Sequence, residues 1–211
     1  MSTDTARPTR DRLLDATVAL MRAKGAAASG TKEILDLAGA PRGSFYFHFS
    51  EGKDQLVLEA LERAAAATLA SLEESFADDD GDLTAQVRSI FAAIELDLVE
   101  HDYTPGCAVA VTTMESASAS QRFQQAVSAA FGTWTSALVD RLTRRGLSAD
   151  QASALADAIV AAMEGATVLS RAHRSPTPLR HAADMLAITI GALTGQSTAT
   201  PKPRAGRTRR A

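Results

Sequence analysis

The sequence predicts an all-α protein: a three-helix N-terminal unit followed by a larger helical body. Three observations carry that reading. Apolar residues recur at spacings of three and four, not two, in segment after segment. Hydrophobic residues make up 45% of the 211-residue chain but aromatics only 5%, and alanine runs such as Ala64–Ala67 recur; such stretches favour close-packed helices over sheets. Ahead of residue 53 the order is helix, helix, glycine turn and short helix, the plan of a helix-turn-helix with one supporting helix in front.

Taken in order, Ser2 to Pro8 reads as a flexible arm, whose Arg7, with Arg10 just beyond, either reaches phosphate or a minor groove or is incidental charge. Thr9 to Lys24 carries Leu13, Ala16, Thr17, Leu20 and Met21 on one face, and Gly25 closes it. Ser29 or Gly30 caps a second helix, Thr31 to Ala38, with Ile34, Leu37 and Ala38 turned inward. Gly39-Ala40-Pro41 then turns into a third helix, with Pro41 at its first position and Gly43 permitting close backbone approach. Phe45 and Phe49 are one turn apart and buried, which leaves Arg42, Ser44, Tyr46, Phe47 and His48 pointing elsewhere. That remainder holds donors and stacking groups but no carboxylate, so nothing on it repels phosphate. Two readings stay open on these residues alone: a DNA recognition helix, or a surface helix pinned by two aromatics.

The stretches TRDRLLDATVALMRAKG, KEILDLAGAPRGSFYFHF and GKDQL together resemble the N-terminal domain of the tetracycline-repressor (TetR) family of bacterial regulators. The extra residue in Phe49-Ser50-Glu51-Gly52-Lys53, with Tyr103-Thr104-Pro105-Gly106-Cys107 later, is similar to the LmrA/YxaF-type branch. The resemblance implies that Thr31 and Lys32 face the DNA backbone at a helix start. Arg42 is the best base reader, since a guanidinium bonds guanine O6 and N7 together. It implies phosphate contacts for Ser44, Tyr46 and His48, close approach at Gly43, a thymine methyl or packing role for Phe47, and a DNA-side place for Lys53.

Lys53 to Phe76 reads as one long helix, striped by Leu56, Val57, Ala60, Leu61, Ala64, Leu69 and Leu72, that joins the two domains. Asp78-Asp79-Asp80-Gly81-Asp82 is an acidic turn without the spaced ligands and closing Glu of a calcium loop. Leu83 to Val99 is amphipathic through Val87, Ile90, Phe91, Ile94 and Leu98, and Tyr103 to Gly106 breaks it. Cys107 to Ser116 mixes small residues with Val111, two threonines, Met114 and Glu115, which suits either a pocket wall or close core packing. Gln121 to Arg145 carries Phe123, Val127, Phe131, Leu138 and the single tryptophan, Trp134, a pocket or core residue. With the family resemblance the pocket becomes the expectation, lined by Phe91, Cys107, Val111, Met114, Glu115, Phe131, Trp134 and Met163. Ser148 caps Ala149 to His173, Ser175 to Pro178 break the chain, and Leu179 to Leu193 forms the last helix. Those last two helices are poor in charge and apolar on more than one face, a pattern of central or subunit-buried helices. The resemblance implies a two-fold homodimer through them, at Ala158, Ala162, Ala166, Leu169, Met185, Ile188 and Thr189.

The formal net charge of −3 divides unevenly. Residues 1–53 are net +2, residues 54–200 net −10 and residues 201–211 net +5, so the phosphate-seeking surface lies away from the acidic body. The lone Cys107 excludes an intrachain disulfide and fits a reducing cytoplasm. No stretch of about 20 apolar residues points to a membrane span, and the N-terminus lacks a secretory pattern. His48, His101, His173 and His181 have no companions at ligand spacing, so neither metal nor cofactor is expected. Ser44 and His48 lie one turn apart without an orienting acid, which argues against catalysis. The expected division is a DNA-binding domain over 1–52, an effector-binding and dimerisation domain over 53–195, and a disordered basic tail over 196–211. The expected function is transcriptional repression at a palindromic operator in double-stranded DNA, released by a small-molecule effector. The alternative is a ligand-sequestering or scaffold protein on the same fold, without effector-gated operator binding.

Overall fold

The computed structural model describes residues 7–78, 81–116 and 120–195. Among them the regular structure is wholly helical: α1 (Thr9–Lys24), α2 (Thr31–Ala38), α3 (Ser44–His48), α4 (Lys53–Ser75), α5 (Leu83–Glu100), α6 (Ala108–Ser116), α7 (Gln121–Arg144), α8 (Ala149–His173) and α9 (Thr177–Thr194). The arm from Ser2 to Ala6, part of the acidic turn and the tail from residue 196 lie outside the described residues.

The first three helices close around one small core. Leu13, Ala16, Leu20 and Met21 of α1 are buried with Ile34, Leu35 and Ala38 of α2 and Phe45 and Phe49 around α3. Gly30, not Ser29, caps α2 through its backbone, because the Ser29 hydroxyl is buried and donates to Gly25 O (2.6 Å). Two expectations are corrected here. Leu37 is 50% exposed and Leu35 takes the inward position, because in so short a helix the packing of α1 selects the stripe through Ile34, Leu35 and Ala38. Pro41 does not open α3; its carbonyl accepts from Ser44 N (3.0 Å) in the turn before it, and the helix begins three residues later.

The body is a bundle in which α7 packs on α4 and α8, and α9 packs on α5 and α8. Trp134 of α7 is fully buried and donates its indole N–H to Ala65 O of α4 (3.0 Å), which fixes the two helices in depth and rotation. Ion pairs Arg180–Glu95 and Arg88–Asp184 run along the outside of the α5–α9 contact. Asp82 caps α5 by accepting from Thr84 N (3.0 Å), and Ser148 with Gln151 forms a capping box on α8. The break before α9 is shorter than expected. Arg174 adopts the left-handed conformation, and α9 starts at Thr177 because Pro178 is tolerated in a first helical turn. By length and composition α8 could cross a membrane, yet Leu155, Ala156, Ile159 and Met163 along it are buried against the body.

Candidate functional site

The base of the N-terminal unit is set by arginines of α1. Arg12 donates to the carbonyls of Ala38 (2.9 Å) and Gly39 (3.1 Å), which satisfies the end of α2 and fixes the turn that aims α3. Arg10 lies over the Phe49 ring (5.4 Å) and pairs with Glu59 of α4. Arg7 pairs with Asp15 (2.6 Å). Arg7 and Arg10, left open above between DNA contact and incidental charge, are thus both paired within the fold. Arg63 of α4 bridges Asp11 and Asp15, and its hydrogen bond holds the Asp11 carboxyl below its ordinary pKa.

On the far side of this base lies an exposed polar and aromatic face. Arg42, Gly43, Lys32, Tyr46 and Phe47 are exposed there, Phe47 at 83%, while Thr31, Ser44, His48 and Lys53 are half-buried. Among the described residues, Lys32, Arg42 and Lys53 take no ion pair. The Ser44 hydroxyl donates to Pro41 O (2.6 Å), so it meets a partner only as an acceptor. Phe47 stands edge-on to His48 and Tyr46 edge-on to the buried Phe45, which orders the exposed rings. Gly43 has an ordinary helical φ of −69° and open space around it, so what it provides is backbone exposure.

A second feature lies at the junction of α1 with the body: a cavity of about 300 Å³. Ala64, Thr68 and Leu72 of α4, Ile90 and Ile94 of α5, Val109 of α6 and Met163 of α8 give it a mostly apolar wall. Its polar groups are Arg22 of α1, Asp97 of α5, Cys107 and Glu164, with the Thr68, Ser71 and Thr167 hydroxyls. Burial, and then the Glu164 carboxylate beside it, push the Cys107 thiol up to about 12. Burial raises the Glu164 carboxyl as well, and the thiol partly opposes that shift. Of the residues expected to line a pocket, Cys107 and Met163 do. Phe91 and Trp134 are core residues, Met114 is 74% exposed, and Val111 and Phe131 lie outside the cavity wall. Glu115 lies elsewhere too: its carboxylate accepts from Ala26 N (2.9 Å) and Ala27 N (3.2 Å) in the turn after α1.

That turn is clamped from several sides. Gly106 N donates to Arg22 O (2.7 Å), Arg22 Nε returns a bond to Gly106 O (3.0 Å), and the Arg22 guanidinium pairs with Asp97. Arg171 of α8 reaches Ala23 O and Thr104 O. Sequence reasoning missed Arg22, Asp97 and Glu164. The available signal was Glu164 itself, the lone charge between Asp157 and Arg171. Arg22 and Asp97, each near the end of an amphipathic helix, carry no such mark.

The outer faces of α8 and α9 expose Ala158, Leu169, Met185, Ile188 and Thr189, with Ala162 half-buried. Ala166 is already buried within the chain, so it can offer little surface to another subunit. Among the described residues no group of His, Cys, Asp and Glu is placed to hold a metal ion.

Comparison with known proteins bears on both features. Residues 13–60 match the model of bacterial regulatory proteins of the tetR family, and residues 84–185 match the C-terminal domain of LmrA/YxaF-like transcriptional regulators. An uncharacterized HTH-type transcriptional regulator of Mycobacterium tuberculosis is 30% identical over 175 residues, covering 81% of this chain and 88% of its own. The HTH-type transcriptional regulator LmrA of Bacillus subtilis is 27% identical, with 82% and 91% covered. The crystal structure of a regulatory protein TetR from Rhodobacter sphaeroides superposes with a TM-score of 0.78 at 25% identity, over 85% of this chain and 97% of that one.

Proposed function

The chain belongs to the TetR family of transcription regulators, and from that premise we propose that it is a repressor which a small molecule releases from its operator. The observation that carries the proposal is that one helix serves both features. Through Arg12, α1 aims α3, and through Arg22 it enters the wall of the cavity. Residues 1–52 form the DNA-binding domain and residues 53–195 the effector-binding and dimerisation domain. Lys32, Arg42, Tyr46 and Phe47 meet DNA, with Thr31, Gly43, His48 and Lys53 on backbone phosphate, while Ser44, whose hydroxyl donates to Pro41 O, braces the turn before α3 instead of reaching phosphate.

Two copies joined through α8 and α9 present paired α3 helices to successive major grooves, about 34–36 Å apart. Because α1 is clamped by Gly106, Asp97, Arg171 and Glu115, a tilt of the body moves α3 as a rigid extension of it. A molecule in the cavity that prefers one arrangement of Arg22, Ile94 and Met163 shifts the population toward a spacing that fits only one groove at a time. Release takes a preference of a few kcal/mol between the two states. The protein acts in the cytoplasm, where its DNA is.

Selection from a pool of random duplexes tests the proposal. It should return a two-fold-symmetric site bound about 10³-fold or more tightly than the starting pool. Enrichment of no sequence would favour a sequestering role for the cavity.

A further inference from the structure

Glu164 meets the Cys107 thiol but no cation among the described residues of the fold. It sits on the inner side of α8 between Met163 and Thr167, in a helix whose buried stripe is otherwise Leu155, Ile159, Val160 and Met163. Most of it is withdrawn from outside solvent, and what remains accessible opens into the cavity. Among the described residues it takes no ion pair, and its polar neighbour is the uncharged Cys107 thiol. An unpaired carboxylate in such a setting is costly, and a side chain retained there needs a partner or a function.

The other charges in the wall do not supply that partner. Arg22 is engaged by Asp97 and by the Gly106 carbonyl. Arg22 and Asp97 cancel one another, which leaves the cavity one negative charge at Glu164. The remaining surface is hydrocarbon from Ala64, Leu72, Ile90, Ile94, Val109 and Met163, with hydroxyls too weak to neutralise a charge. At about 300 Å³ the space falls at the small end of ligand pockets, which run from ~300 to 1,000 Å³. The body around it is acidic, and a negative field raises the local concentration of cations.

We infer that the cavity selects a small organic cation, an amine on an apolar body, whose ammonium group pairs with Glu164 while its hydrocarbon fills the wall of α4, α5 and α8. This rests on the reading of the cavity as the effector site and adds the class of effector. A carboxylate ligand would have to displace Asp97 from Arg22 and face Glu164, so the site discriminates against anions by repulsion as well as by lack of a free base. The Cys107 thiol, held protonated, contributes a soft, uncharged contact beside the ammonium group.

Three probes of one shape decide it: 3-phenylpropylammonium, 3-phenylpropan-1-ol and 3-phenylpropanoate, titrated calorimetrically into the intact protein at pH 7.5. The ammonium should bind at least tenfold tighter than the alcohol, and the carboxylate weakest. Glu164→Gln keeps the shape of the side chain and should erase the advantage of the ammonium while leaving the alcohol unchanged; its circular dichroism reports that the fold survives. Alcohol binding as tight as ammonium binding, or an ammonium affinity indifferent to Glu164→Gln, overturns the cation assignment and leaves the cavity as the effector pocket. No binding of any of the three overturns the cavity reading with it.

Discussion

Single residues divide by whether their partner is local. Arg42 is exposed and takes no ion pair among the described residues, so its guanidinium is available to a guanine edge. Arg42→Ala should cost about 1–3 kcal/mol on the preferred site and flatten the preference at one position in each half-site. Equal losses on preferred and random duplexes would make it a phosphate contact. Glu164 gives a pH signature. Burial raises its folded pKa above the ordinary glutamate value, so its contribution to stability is present below that value and is lost as pH rises through the folded pKa. Glu164→Gln, which cannot ionise, should therefore melt above the parent at pH 7.5, with the gap closing toward pH 4. A parent that melts higher at pH 7.5 would mean that the carboxylate has a cationic partner inside the fold. Phe45 and Phe49 were legible because their spacing alone buries them. Leu37, Trp134 and Glu115 were not, since which face a short helix buries and which carbonyl an indole reaches depend on helices distant in sequence.

Helix boundaries followed the sequence closely because their stops are chemical: Gly25, Gly39 and Gly195 end helices, and Asp82 and Ser148 begin them. The sequence did not reveal what the connections hold. Gly25 has φ +91° and ψ 161°, a region open essentially to glycine, and a Cβ there would stand 1.8 Å from a Glu115 carboxylate oxygen. The same glycine thus ends α1 and admits the carboxylate that clamps α1 to α6. Gly25→Ala should lose about 1–3 kcal/mol from backbone strain alone and more from the displaced clamp, with weakened operator binding. Gly132→Ala is the control: it lies within α7 with open space around it, so it should be stabilising by about 0.5–1 kcal/mol. Equal effects of the two changes in thermal melts would show that neither the positive φ of Gly25 nor the α1–α6 clamp carries stability.

At the scale of the whole molecule the question is what covers α8 and α9. Their inner stripes are spent on the body, with Leu155, Ile159, Met163, Leu186 and Ile190 all buried. Val168, Leu169, Met185 and Ile188 nevertheless remain at least half exposed on the outside, between small residues such as Ala158, Ala161 and Gly165. An apolar face of this kind on two adjacent helices marks a protein interface, and small residues on it let a partner helix approach closely. In the proposed dimer a second copy of this chain would satisfy it by two-fold symmetry, with each α8–α9 pair facing the other in a four-helix arrangement. Ile188→Glu should then bury two like charges near the axis, a greater loss than the roughly 1–3 kcal/mol of overpacking a fitted site. Sedimentation at micromolar concentration should show a monomer that keeps its helical content. Operator binding should fall far more than stability does, because the second half-site no longer gains from linkage to the first. A dimer that survives Ile188→Glu would place the contact on another face, of which the strip around Leu96 and Val99 on α5 is the next most exposed.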